Sequence, residues 1–250
     1  MINEINNSST QALNASAMGG FYLCEANEDP FAPCYTIEIN DANGVRFLRR
    51  LLTIDVKNIH RGEVRQSFIL NALGFITDFA TVAHLPDSDE HYRVIFQSID
   101  TLAWMHQVAK AFDVEIQELN VQTALIYGAN LKKIGDLSLN HCLEVSSDTW
   151  AMQTEFGIIL QGQTEQLSDM VLAFEVPQLN WMQAYTCSIL VREPHAMDWM
   201  TSDTTVEALN GSRFVDFSDP SRVFIGRALT EARIRSGAKK KTVVIKSHMD

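Results

Sequence analysis

No apolar run in these 250 residues approaches the ~18 needed to cross a bilayer as a helix, so no membrane span is expected. Cysteine is scarce. The four thiols, Cys24, Cys34, Cys142 and Cys187, lie far apart and form no CxxC pair, and the polar, Asn-rich start lacks the hydrophobic region of a secretory signal. They read as reduced thiols, mostly in the core, and the expected location is the cytoplasm. The seven histidines are scattered, with no HxxxH or HExxH, and no Cys/His cluster has zinc spacing, which argues against a metal site. Neither G-x-x-x-x-G-K-[ST] nor G-x-G-x-x-G is present, and no GxSxG elbow marks a nucleophile. Positive charge is in deficit: the net charge of −11 argues against nucleic-acid binding through phosphate neutralisation.

What is present fits a compact folded chain. At 46% hydrophobic content it can bury a sizeable core. Met1 to Ala17 is polar and rich in Asn and Ser and reads as a mobile tail, leaving 18–250 as one region or two intertwined subdomains, 18–130 and 131–250. Residues 213–250 hold nine Lys or Arg against four acids, a net +5, so the remainder carries −16. Such a basic end is either a solvated face or a contact for an anionic ligand or partner.

In chain order, Cys34 to Ile39 alternates as a strand, and Asp41 is placed to cap a helix in which Val45, Leu48 and Leu52 recur at helical spacing. A hairpin spans Ser67 to His84, and Tyr92 to Phe96 is a strand. Ser98 to Phe112 is an amphipathic helix with Ile99, Leu102, Ala103, His106, Ala109 and Phe112 on its stripe, where His106 reads as a core histidine rather than a ligand. Strands are expected at Val114–Glu118 and Thr123–Tyr127. Beyond them come a hairpin over Thr149–Gln153 and Phe156–Gln161, a helix over Thr164–Phe174, a buried strand over Tyr185–Val191, a helix or loop-helix over Val223–Arg235 and a last strand over Thr242–Lys246. The class is α+β, antiparallel sheets with packed helices.

One side chain in the central hairpin breaks the pattern. Strand alternation over Phe75–His84 puts Asp78 on a face with Ile76, Ala80, Val82 and His84. A carboxylate among such neighbours must be paired, hydrogen-bonded or protonated, unless that face is the solvent face of an edge strand. Asp78 is thus a candidate site residue.

Four segments in order carry a resemblance: Phe47–Val56, Ile69–Asp78, Phe112–Ile116 with Thr123–Gly128, and Phe224–Leu229 with Gly237–Lys241. They resemble the FL..LLTNDV segment, the LN..GG..DD hairpin, the strand pair ending in QGP and the FIG(K/R)EAL segment of the glycine-cleavage T-protein (aminomethyltransferase) superfamily. The resemblance implies a T-protein-like folate-binding fold without a complete C-terminal β-barrel, and tetrahydrofolate or a folate derivative as cofactor. It also implies one-carbon (aminomethyl or methyl) transfer, with a one-carbon donor or partner protein. Asp78 matches the first acid of the DD pair and is the implied catalytic carboxylate. Asn71 shapes the hairpin beside it, and Arg192 or Arg227 is the implied contact for the folate glutamate tail.

Departures from the family are specific. Phe79 replaces the second acid, Ile159 stands where a pterin-gripping Glu belongs, and Leu190–Glu193 is a faint echo of the GLGARD segment. Ser221–Ala228 occupies the place of the KGCY.GQE signature of YgfZ-like folate-binding proteins, with Val223 where their Cys stands. Two classes of function follow: a tetrahydrofolate-dependent transferase, or a non-catalytic folate-binding accessory protein, as in YgfZ-like iron-sulfur cluster maintenance. A third reading is a scaffold kept for interaction alone.

Overall fold

The computed structural model describes residues 20–24, 34–128, 134, 137–172, 175–194 and 203–237; the N-terminal stretch 1–17 and the strand expected over 242–246 lie outside them. The strands are β1 (Gly20–Cys24), β2 (Tyr35–Asn40), β3 (Val64–Leu70), β4 (Ile76–His84), β5 (His91–Phe96), β6 (Gln117–Leu119), β7 (Gln122–Tyr127), β8 (His141–Ser146), β9 (Thr149–Gln153) and β10 (Ile158–Gly162). The helices are α1 (Gly44–Leu51), α2 (Ile99–Phe112), α3 (Thr164–Leu172), α4 (Trp181–Val191) and α5 (Arg227–Ser236). The strands form two five-stranded antiparallel sheets, ordered β1-β7-β10-β9-β8 and β3-β4-β5-β2-β6. The class is α+β, as the sequence pattern requires.

Burial explains the layering. Ile37 and Ile39 of β2 and Ala80 and Val82 of β4 point to one side of the second sheet, where Phe47, Leu48 and Leu51 of α1 and Met105 of α2 cover them. On its other side Val64, Ala83 and Ile95 meet Trp150, Met152 and Ile159 of the first sheet. The far side of that first sheet, with Ala124, Ile126 and Leu160, is closed by Leu167 and Val171 of α3. The order is helix, sheet, sheet, helix, each apolar face buried against the next. At one corner the sheets are joined directly: the Val64 amide donates to the Asn140 carbonyl at 2.8 Å, and the Cys142 amide to Gly62 at 2.7 Å.

The structure corrects four local expectations. Tyr185–Val191 is not a strand but part of α4, whose buried Gln183, Ala184, Cys187 and Ser188 keep helical spacing. Its start is fixed by a capping box: the Asn180 side chain accepts from the Gln183 amide, and the Gln183 side chain accepts from the Asn180 amide. On α2 the buried stripe is Thr101, Leu102, Met105 and Ala109, while Ile99 is 55% exposed and His106 pairs with Glu118 at 2.8 Å near the surface. Asp41 does not cap α1; its carboxylate takes the Asn43 amide in the preceding turn. Finally, the β3–β4 register slips between Ile69 and Leu70, so that Ile69 faces Asp78 and Leu70 faces Ile76. This bulge adds one residue to β4 at Thr77 and breaks the alternation, and Ile76 packs with Phe79 rather than with the Asp78 face.

Candidate functional site

Asp78 is completely buried. Its Oδ1 accepts from the Phe79 amide at 2.8 Å and the Gln97 amide at 3.1 Å, and its Oδ2 accepts from the Ser98 amide at 2.9 Å. Gln97 and Ser98 lead directly into α2, whose N-cap is Ser98, so the carboxylate ties mid-β4 to the start of that helix. Burial raises its pKa to about 6, against the lowering effect of the bonds from Gln97, Thr101, Phe79 and Ser98. At neutral pH it is mostly ionised, with both oxygens engaged.

The Asn71 turn meets the loop before α5 elsewhere. Asn71 Oδ1 accepts from the Leu73 and Phe75 amides at 2.9 and 3.1 Å, closing the turn between β3 and β4. That turn lies on the loop before α5: a Cβ at Gly226 would sit 2.6 Å from the Asn71 carbonyl oxygen, and Gly226 adopts φ +81°. Both the close approach and the left-handed backbone require glycine. Arg233 of α5 clamps the arrangement by donating to the Leu73 and Gly74 carbonyls at 2.8 and 3.2 Å.

Beside this junction is a pocket of about 410 Å³ lined by Arg50, Ala72, Arg222, Val223, Arg227 and Glu231 among others. Asp78 is not among its lining residues, and neither is Arg192. Arg222 is 3% exposed and donates to the carbonyls of Leu52, Thr53, Ile54 and Asp216; its Nε is buried with no acceptor among the described residues. Burial lowers its pKa to about 10, which leaves it cationic at neutral pH. Arg227 donates to the Asp219 and Arg222 carbonyls and lies over the Phe217 and Phe224 rings. Arg50, at the end of α1, donates to the Val223 carbonyl at 3.3 Å. The loop is pinned from below by Arg49, which bridges Asp55 at 2.9 Å and Asp219 at 2.8 Å.

No family profile matches the chain, and no curated protein does. Among solved structures, the crystal structure of the glycine cleavage system aminomethyltransferase T from Bartonella henselae superposes with a TM-score of 0.76 at 15% identity, over 92% of this chain and 67% of that one. The fold is T-protein-like. At 15% identity the likeness concerns the fold alone, in agreement with the class read from the sequence.

Two of the positions at which the sequence departs from the T-protein pattern, Phe79 and Ile159, are packed as core. Phe79 forms a cluster with Phe68, Phe156 and Phe214, with centroids 5.2–6.2 Å apart. Ile159 lies 7% exposed in the layer between the sheets. Glu155 is taken up by Arg213 at 3.0 Å. Val223 is 61% exposed at the pocket rim.

Arg192 is the exposed, left-handed residue ending α4. Its neighbour Glu193 turns inward and accepts from the Tyr127 hydroxyl at 3.1 Å; burial raises Glu193 to about 7 and Tyr127 well above its usual value. Arg50, Arg222 and Glu193 are functional candidates that the sequence pattern does not single out. Arg222 and Glu193 have a weak signal, since they sit in the segments compared with the YgfZ-like signature and the GLGARD segment.

Proposed function

We propose that the protein binds a reduced folate, tetrahydrofolate or a derivative, and that the arginine-lined pocket receives its anionic glutamate tail. The observation carrying the reading is that pocket: a concavity of about 410 Å³ lined by three arginines, Arg50, Arg222 and Arg227. The volume falls in the usual range for small-molecule sites, and a carboxylate is the anionic group that arginine side chains pair with best. The family resemblance supplies the ligand class, and the T-protein-like fold agrees with it.

In this reading Arg227 and Arg50 meet the tail, Asn71 holds the turn that forms one wall, and Arg192 is a further exposed cation. Binding without turnover fits the contacts of Asp78 best, because a carboxylate engaged by three backbone amides and the Thr101 side chain holds α2 in place and has its four acceptor positions taken. One-carbon transfer with Asp78 as the polarising group is the second reading, favoured by its pKa of about 6, close to the value that suits an acid or base at neutral pH.

The test compares 5-formyltetrahydrofolate with a tetrahydropterin lacking the glutamate tail. Wild-type protein is expected to prefer the folate. Arg50→Ala and Arg227→Ala are each expected to reduce that preference by about tenfold or more, the usual worth of a charge-assisted hydrogen bond. Equal affinity for the two ligands in wild-type protein would remove the pocket from the reading.

A further inference from the structure

Two thiols far from the arginine pocket lie in contact. The sulfurs of Cys24, the last residue of β1, and Cys34, the residue before β2, are 3.5 Å apart. They adjoin different sheets: Cys24 pairs in register with Thr123 of β7, whereas Cys34 leads into β2, which pairs with β5 and β6. Cys34 packs both on the cluster of Tyr22, Tyr127 and Cys187 and on the inter-sheet layer of Ile95, Trp150 and Ile159, which brings it over the end of the first sheet.

We propose that Cys24 and Cys34 form a peroxide-responsive dithiol that closes into a disulfide linking the two sheets. The sulfurs start in van der Waals contact and need approach by only about 1.5 Å to reach bonding distance. Cys34 is partly exposed and open to an oxidant, whereas Cys24 is buried behind it. That is the arrangement of an attacking and a resolving thiol. The other two thiols are set apart by their surroundings. Cys142 and Cys187 are buried and burial pushes each up to about 11, which keeps them protonated and unreactive.

The chemistry balances with hydrogen peroxide as the oxidant. The Cys34 thiolate attacks one peroxide oxygen, the O–O bond breaks, and hydroxide leaves as water once it takes a proton. The Cys24 thiolate then attacks the Cys34 sulfenic sulfur, forming the S–S bond and expelling a second hydroxide, protonated to water. Two thiols and one peroxide give one disulfide and two waters. The product closes the chain between positions 24 and 34, fixes the end of β1 against the start of β2, and resists unfolding more than the dithiol because the unfolded chain is constrained.

The full chain is reduced, desalted, exposed to hydrogen peroxide, alkylated under denaturing conditions and cut after glutamate. No Lys or Arg precedes Arg46, so trypsin leaves both cysteines on one peptide, whereas Glu25 and Glu28 lie between them. The expected result is the loss of two hydrogens from the intact mass, alkylation of two of the four cysteines, and a Cys24–Cys34 cross-linked peptide pair that dithiothreitol separates. The oxidised chain should also melt at a higher temperature. Cys34→Ser abolishes the cross-link, and the Cys142→Ser, Cys187→Ser double variant keeps it. Four alkylated thiols after peroxide, a Cys34 sulfinic acid without a cross-link, or a cross-link through another pair would each overturn the proposal. The mapping is done on the wild-type chain, so it does not depend on any variant folding.

Discussion

Asp78 is held above the 3.8 of an ordinary aspartate because burial outweighs its hydrogen bonds. The folded protein therefore retains the Asp78 proton over a pH range in which the unfolded chain has lost it. Stability from this group is greatest below about pH 4 and declines as pH rises through about 6. A rise from 3.8 to about 6 corresponds to about 3 kcal/mol. Urea unfolding of wild type and Asp78→Asn at a series of pH values checks this: the stability difference, wild type minus variant, should fall between pH 4 and 7 and stay flat above it. A constant difference would mean that the carboxylate keeps an ordinary pKa. Glu193, raised to about 7 by burial, acts in the same direction, its contribution declining from about pH 4.5 to 7. Legibility at this scale was uneven. Asp78 stood out as an acid on an apolar face, yet its partners could not be read, because Gln97 and Ser98 lie on the far side of β5. Arg50 carries no local anomaly and Arg222 only its place in the basic segment compared with the YgfZ-like signature; they become a pair only through folding.

Helix α4 and the Asn71 turn show how local signals govern elements. The Tyr185–Val191 run looks like a buried strand when only its apolar content is weighed, but Asn180 and Gln183 before it form the reciprocal cap of a helix. Asn180→Ala is expected to cost about 1 kcal/mol, measured by chemical unfolding. In the central hairpin the alternation held from Asp78 to His84 and failed at Thr77, since a bulge is set by the ladder between two strands and leaves no mark in either one alone. The turn itself depends on Gly226. Gly226→Ala must place a Cβ 2.6 Å from the Asn71 carbonyl in a left-handed backbone, so the hairpin and the loop before α5 should separate. A loss of stability of more than about 1 kcal/mol, with faster amide exchange at Leu73 and Gly74, is the expected outcome. Unchanged exchange there would show that the contact is dispensable.

Across the whole molecule, the α+β class and antiparallel sheets were legible because strand and helix periods in the sequence are strong. The four-layer order was not, because it depends on which face of each sheet meets which partner. Phe79 sits at the meeting of the layers, against Phe68, Phe156 and Phe214. Placing an acid there by Phe79→Asp would bury a bare carboxylate among aromatic rings, and Phe79→Ala would leave a cavity worth about 3–5 kcal/mol. Both variants should lower the melting temperature, Phe79→Asp by at least as much as Phe79→Ala. Equal stability of Phe79→Asp and wild type would mean that the acid finds a partner and that the space between the sheets is polar after all. Among the described residues no helix is long and apolar enough to cross a membrane, and no cluster of His, Cys, Asp and Glu could hold a metal ion.

The most direct test of folate binding through the arginine pocket is calorimetric titration of 5-formyltetrahydrofolate into the reduced wild-type chain, with Asp78→Asn and Arg227→Ala titrated alongside. Such binding predicts saturation by wild type, retained within about threefold by Asp78→Asn and weakened about tenfold or more by Arg227→Ala. Loss of binding in Asp78→Asn with Arg227→Ala unaffected would move the ligand to Asp78 and favour transfer chemistry. No heat of binding at millimolar folate would contradict the assignment of this fold to a folate ligand.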